Sequence, residues 1–495
     1  MSWSILVRTA MLGAERSALS ERLASLGINA AQDPVLALLK SAARYRLLRR
    51  AAGIPATCEV PALAPADLSE ERPCSRAAAR ALGQIIDGPY HAALIEWVEL
   101  ATYCQCHAPA EHLPSLFELC KNDEALWGTV SKVIGPRGYW LLEQHPLGAV
   151  LQGYESLANW HTESREQRTG ILMYWRRRDP MKALELLASG WQQESPADRQ
   201  ALLAQLHHGL SLADEPFLES CLDDKRKEIR QLAAKLLSEI PESALSQRLF
   251  QTASQALSLR SKNEVQVKLP AEAPAHLLRD GIKVQKAGDH EWLWQLLSRI
   301  PPSKWGTHFG YAAETICLAF YHSNWSRHLI PAIAKAALQF KANDWLGAIA
   351  GLWLHPRTMA QDWKGVLGAQ ILAALPREAF NDLLWQAIQT QGSIEEGSLA
   401  DQLLLTPNQR WDDKVAMAFI KALQERIAKH SAYDWGSWHY RNALGNAAYT
   451  CHPRLLESMA AGWPVFSPAW GRWEAEVKRF QETMRFRKEM REAFQ

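Results

Sequence analysis

Residues 214–249 read Asp-Glu-Pro-Phe-Leu-Glu-Ser-Cys-Leu-Asp-Asp-Lys-Arg-Lys-Glu-Ile-Arg-Gln-Leu-Ala-Ala-Lys-Leu-Leu-Ser-Glu-Ile-Pro-Glu-Ser-Ala-Leu-Ser-Gln-Arg-Leu. They spell a helix, a tight polar turn and a second helix. In the second, Ile229, Leu232, Ala233, Leu236, Leu237 and Ile240 follow the i, i+3, i+4, i+7 spacing of one apolar stripe. The stripe is ~17 Å long at ~1.5 Å per residue. Lys225 to Glu228, Arg230, Gln231 and Lys235 fill the remaining, wet faces, and Pro241 ends the helix because it has no N–H to donate. A single helix pair cannot cover its own stripe, so neighbouring pairs must.

Short helix, Asp-Asp, basic turn and Arg-x-x-Ala-Ala together resemble the HEAT repeat. The fold expected is all-α, a HEAT-like α-solenoid of stacked antiparallel helix pairs. The one interruption expected is a short extended segment, where Val265, Val267 and Leu269 alternate with Gln266 and Lys268. Pro55, Pro61, Pro65 and Pro73 cannot sit inside a helix and mark a linker. The chain therefore divides into an N-terminal helical segment 1–53, a Pro-rich linker 54–74, helical repeats 75–258, the interruption 259–281, and helical repeats with a cap at 282–495. Asp33 with Pro34 should cap the helix to Ala52. In the helix before Cys104, Leu94, Ile95, Trp97, Val98 and Ala101 should face inward. The last helix, from Trp470, is charged on most faces and should cap the stack with Val477, Phe480, Met484 and Phe494 inward.

Lys plus Arg number 55 and Asp plus Glu 53, so no global field draws this chain to nucleic acid or an anionic membrane. No apolar run reaches the ~18 residues that cross a bilayer, and the N-terminus lacks a signal-peptide layout. This points to the cytoplasm. Eight cysteines over such a length are no disulfide framework. Cys104-Gln-Cys106-His107 has no second ligand doublet to complete a zinc site.

Candidate chemistry is sparse. Gly135-Pro-Arg-Gly138 could hold an anion at a helix start but lacks the Lys-Ser/Thr of a P-loop. Tyr174 to Arg178 sets three arginines beside two aromatics, a phosphate grip or simply a helix end. His207 and His208, adjacent on a helix, should diverge. Tyr433 to Arg441, holding His439, Asp434 and Arg441, is the most enzyme-like patch, though a Trp-lined packing corner is the reading it favours. No metal, cofactor or catalytic set is expected.

Arg8 to Arg16, Gly135 to Leu141, Asp214 to Leu249, Gly288 to Trp294 and Met484-Arg-Phe-Arg487 together resemble a family of bacterial proteins of unknown function over nearly the full length. Ala14 stands where that family would have Thr. The resemblance implies gene neighbourhoods shared with a SWIM zinc-finger protein, a MoxR-type AAA ATPase and a von Willebrand factor A protein. The function expected is a non-catalytic protein-binding scaffold or adaptor, with Arg137, Arg226, Lys227, Arg230, Trp435 and Trp438 as contact candidates, because exposed Arg and Trp dominate interface energies. The alternative is a nucleic-acid-binding, DNA-glycosylase-like HEAT solenoid. It would need Arg44 to Arg50, Arg176 to Arg178 and Arg226 to Arg230 on one surface.

Overall fold

The computed structural model describes residues 3–13, 33–51, 64–145, 148, 160, 162–262, 264–268, 273–284, 291–354, 365–391, 398–407, 409–429 and 437–495. The chain forms two units, Met1–Pro65 and Ala66–Gln495. In the first, α1 (Trp3–Leu12) packs on α2 (Pro34–Ala51), with Trp3 stacked on Tyr45 at 5.8 Å. Asp33 caps α2, its Oδ1 accepting from the Val35 and Leu36 amides at 2.9 and 3.1 Å.

The second unit begins with α3 (Arg76–Asp87), α4 (Leu94–Tyr103), α5 (Leu113–Cys120), α6 (Glu124–Val130) and α7 (Gly135–Gln144) around one apolar core. Then follow α8 (Arg165–Arg178), α9 (Pro180–Gly190), α10 (Pro196–Ala204), α11 (Glu215–Cys221), α12 (Lys227–Ser238) and α13 (Ala244–Ala256). The described class is all-α apart from one antiparallel hairpin, β1 (Leu257–Ser261) with β2 (Glu264–Val267), paired from Leu257↔Val267 to Ser261↔Glu264. Leu269 lies outside the described residues. The hairpin belongs to the same unit, and Leu257, Leu259, Val265 and Val267 join its larger core.

Helices continue as α14 (His276–Arg279), α15 (Glu291–Leu297), α16 (Pro302–Phe309), α17 (Ala313–His322), α18 (Ser326–Gln339), α19 (Asn343–Gly351), α20 (Val366–Ala374), α21 (Arg377–Gln391), α22 (Leu399–Leu404), α23 (Asp413–Lys429), α24 (Ser437–Thr450), α25 (Leu456–Ala460) and α26 (Glu474–Glu492). From α10 onward packing is mostly between near neighbours in sequence: α12 on α10, α11 and α13, α18 on α17, α19 and α20, α24 on α22 and α26. Such helices are too short to be stable alone and hold their shape through these faces.

The stripe of α12 lies inward at Ile229, Ala233, Leu236, Leu237 and Ile240, with Leu232 half-buried. The wet face is narrower than expected. Ala234 is also buried, and a Cβ on Gly281, whose φ is +74°, would come within 2.5 Å of its Cβ. Gly281 is thus required both by its backbone and by the close approach of α12.

Two local expectations fail for identifiable reasons. On α4 it is Glu96 that is buried, whereas Ile95 is 38% exposed. Glu96 faces α26, where Arg487 places Nε 2.5 Å from one carboxylate oxygen and NH2 3.1 Å from the other, while Arg491 Nε lies at 2.6 Å. Consequently α26 does more than cap: it packs on α24 with Val477, Phe480 and Met484 buried, and its far end packs on α3 and α4. Phe486 stacks on Tyr90 at 4.0 Å, Phe494 meets Trp97 edge-on, and Ser75 Oγ donates to the Ala493 carbonyl at 2.7 Å. The first and last helices of this unit are therefore joined. The second failure concerns His207 and His208. A 3-10 turn, Gln205–His207, replaces the helix there and His208 is extended, so the rings converge at 3.7 Å between centroids.

Candidate functional site

The predicted contact residues fall on separate elements. Arg226 and Lys227 are exposed at the start of α12, and the Arg226 amide donates to Asp224 Oδ1 at 2.8 Å. Arg230 is spent on the same turn, donating to the carbonyls of Asp224 and Lys225 at 2.7 and 3.1 Å. Arg137, in the first turn of α7, is tied to Glu71, which accepts from its backbone amide at 3.3 Å. Trp438, in the first turn of α24, is 61% exposed; Trp435 lies outside the described residues, as do Tyr433 and Asp434.

The structure presents a second exposed apolar feature that helical periodicity did not mark. The segment Trp463-Pro-Val-Phe-Ser-Pro468 leaves Phe466 99% exposed and Val465 49% exposed. Its ends are anchored: Trp463 Nε1 donates to the Met459 carbonyl at 2.9 Å, and Ser467 Oγ donates to the Ile427 carbonyl at 2.6 Å. Gln424 Nε2 donates to the Ala461 carbonyl at 2.7 Å, and Arg426 lies over the ring of Tyr440 at 4.3 Å. The segment that carries Phe466 and the helix that carries Trp438 thus both contact the last two turns of α23. The available signal was Pro464 and Pro468, which bar a helix that would bury Phe466.

The enzyme-like patches are committed to packing. His439 Nδ1 sits 3.1 Å from Asp401 Oδ2, linking α24 to α22, and Arg441 donates to the Arg472 carbonyl at 3.0 Å while lying over Trp473. The two turns flagged around Cys104 and Gly135 meet at a cavity of about 650 Å³ lined by Glu71, Arg72, Gln105, His107, Gly135 and Tyr139. Gly135 has φ +63°, and a Cβ there would strike the His107 ring at 2.5 Å, so the glycine lets the two turns approach. Burial, then the neighbouring Cys106, pushes the Cys74 thiol up to about 11. Burial likewise pushes Cys120, Cys221 and Cys451 up to about 12, which leaves them protonated and unreactive at neutral pH.

The arginine cluster before Pro180 is taken apart. Arg176 is fully buried against Asp214, Arg177 NH2 donates to Glu124 at 2.8 Å, and Arg178 stacks over Tyr174 at 3.8 Å. Arg44, Arg46 and Arg50 are exposed on α2 of the other unit. No described helix is long and apolar enough to cross a membrane.

These features define an all-α protein of short, neighbour-packed helices that displays aromatic side chains outside its core. It belongs to a family described as "Family of unknown function (DUF5691)", whose model matches residues 5–494. Comparisons with curated proteins and with solved structures gave no match.

Proposed function

We propose that this chain is a non-catalytic protein-binding adaptor, a HEAT-like stack of helix pairs that works with a MoxR-type AAA ATPase and a von Willebrand factor A protein. The observation that carries the reading is the exposure of Trp438 and Phe466 on two elements that both contact the C-terminal turns of α23. Burying a Phe side chain is worth roughly 1.5–3 kcal/mol, so a segment anchored to hold one in water forgoes that gain unless a partner supplies the cover. The exposed Arg226 and Lys227 offer a second, polar contact. The raised thiols argue against Cys74, Cys120, Cys221 and Cys451 as nucleophiles, and the buried or paired Arg176, Arg177 and Arg230 argue against a phosphate-binding groove.

The test is equilibrium binding of the purified ATPase and von Willebrand protein to the wild type, to a Trp438→Ser/Phe466→Ser variant and to Arg226→Glu/Lys227→Glu. The aromatic variant is expected to fold normally and to bind at least about 10-fold more weakly, since hot-spot aromatics cost that much or more when truncated. Unchanged affinity in that variant would overturn the reading, and so would failure of the wild type to bind either protein.

A further inference from the structure

We propose that Glu124, His207 and His208 form a binding site for a divalent transition-metal ion, with zinc as the ion to test first. Among the described residues these three bring one carboxylate oxygen and two ring nitrogens within 4.8 Å of one another. Ligands about 2.1 Å from a tetrahedral metal are ~3.4 Å apart. The carboxylate reaches both rings near that separation, one oxygen to each: His208 Nδ1 is 3.1 Å from Glu124 Oε1, and His207 Nε2 is 3.9 Å from Oε2. Adjacent histidines serve one ion here because they use different nitrogens, Nε2 from one and Nδ1 from the other, across a chain that leaves its 3-10 turn between them.

The surroundings are built for it. His207 Nδ1 lies 2.7 Å from the Ala204 carbonyl, which accepts its proton and leaves the Nε2 lone pair facing Glu124. Arg177 donates to Glu124 Oε1, orienting the carboxylate with Oε2 toward His207. The turn that carries both histidines is locked from beneath by Arg176, whose side chain is wholly buried. Its Nε donates to the His208 carbonyl at 2.8 Å, and NH2 donates to those of Leu206 and Gly209 at 3.1 and 3.0 Å. Asp214 accepts from NH1 and NH2 at 2.8 and 2.9 Å, so the buried charge is neutralised. Gly209 completes the lock with φ +59°, because a Cβ there would meet the Arg176 carbonyl at 2.7 Å.

Two imidazoles and one carboxylate suit zinc, cobalt, nickel or copper rather than magnesium or calcium, which prefer all-oxygen shells. Side chains of Glu124 and His207 are 57% and 48% exposed, so the remaining coordination position opens to solvent and takes water or a small anion. The positive charge of Arg177 opposes the ion, and three ligands hold less tightly than the four of a structural zinc site. Affinity in the roughly micromolar range is therefore expected, with tetrahedrally coordinated cobalt showing visible d–d bands and no thiolate charge transfer.

The experiment is titration of the metal-stripped full-length protein with Zn²⁺ by calorimetry and with Co²⁺ by absorption. Wild type is compared with Glu124→Ala, His207→Ala and His208→Ala, and with His276→Gln, an exposed histidine on α14, as control. One equivalent is expected to weaken by at least about 100-fold in each site variant, beyond the 10–100-fold of outer-shell changes, and to persist in the control. Glu124 and His207 are exposed enough for their variants to fold even if His208→Ala does not. Absence of saturable Zn²⁺ binding by the wild type, or binding by Glu124→Ala and His207→Ala equal to wild type, would overturn the assignment.

Discussion

Replacing Arg487 with Met is expected to destabilise the protein by about 3–5 kcal/mol, the cost of removing one partner from a buried ion pair. The Arg487 side chain is 4% exposed and Glu96 is 9% exposed. Besides Glu96, Arg487 NH1 holds the carbonyls of Ala448 and Cys451 at 2.6 and 2.8 Å, so one side chain ties α4, α24 and α26 together. Arg491, 24% exposed, keeps its own bond to Glu96 in that variant, but the Ala448 and Cys451 carbonyls lose the Arg487 donor. The pair also carries a pH signature. Burial pushes the Glu96 carboxyl up, but the bonds and charge of Arg487, then Arg491, outweigh it and hold the group below its ordinary value. A depressed folded-state pKa stabilises fully above the unfolded value of about 4.3, and the contribution is lost as pH falls through the folded value. Urea midpoints at about pH 7 and about pH 3 should thus fall with acid in the wild type, and by less in Glu96→Gln. An Arg487→Met variant as stable as wild type, or an acid limb unaltered by Glu96→Gln, would refute the joining of first and last helices through this pair.

Leu236→Ala should cost ~2–5 kcal/mol, because Leu236 is 2% exposed in the stripe of α12 and helices on either side can collapse only partly into the space left. Lys227→Ala, on the exposed face of the same helix, should stay within about 0.5 kcal/mol. Chemical denaturation of the two variants side by side checks the register of α12. Equal destabilisation would mean that its apolar stripe does not face the neighbouring helices.

What could be read in advance followed from local chemistry. The α12 stripe, the Asp33 cap and the extended segment near Val265 are set by residues within a few positions of one another; the first two lie where spacing put them, while the hairpin starts at Leu257, two residues before the expected interruption, and the helix α14 falls inside the stretch expected to be extended. Contacts that depend on distant residues left no such trace. Glu96 interrupts an apolar run, and nothing within one helix says that Arg487, 391 residues later, will neutralise it. The closing Met484-Arg-Phe-Arg487 carries a family resemblance and no spacing that reveals its contacts. Its residues bury Met484, stack Phe486 on Tyr90 and seat Arg487 on Glu96. His207 and His208 misled because divergence assumes an α-helical step, which the short turn denies them. Phe466 escaped because a periodicity argument looks for apolar residues with a face to bury, and this one has none.

The adaptor reading is tested most directly by hydrogen exchange of the full chain with and without the purified ATPase or von Willebrand factor A protein. Binding at the end of α23 predicts slowed exchange in peptides covering 437–441 and 463–467, which hold Trp438 and Phe466. Exchange unchanged in both peptides, with either protein present at saturating concentration, would contradict it.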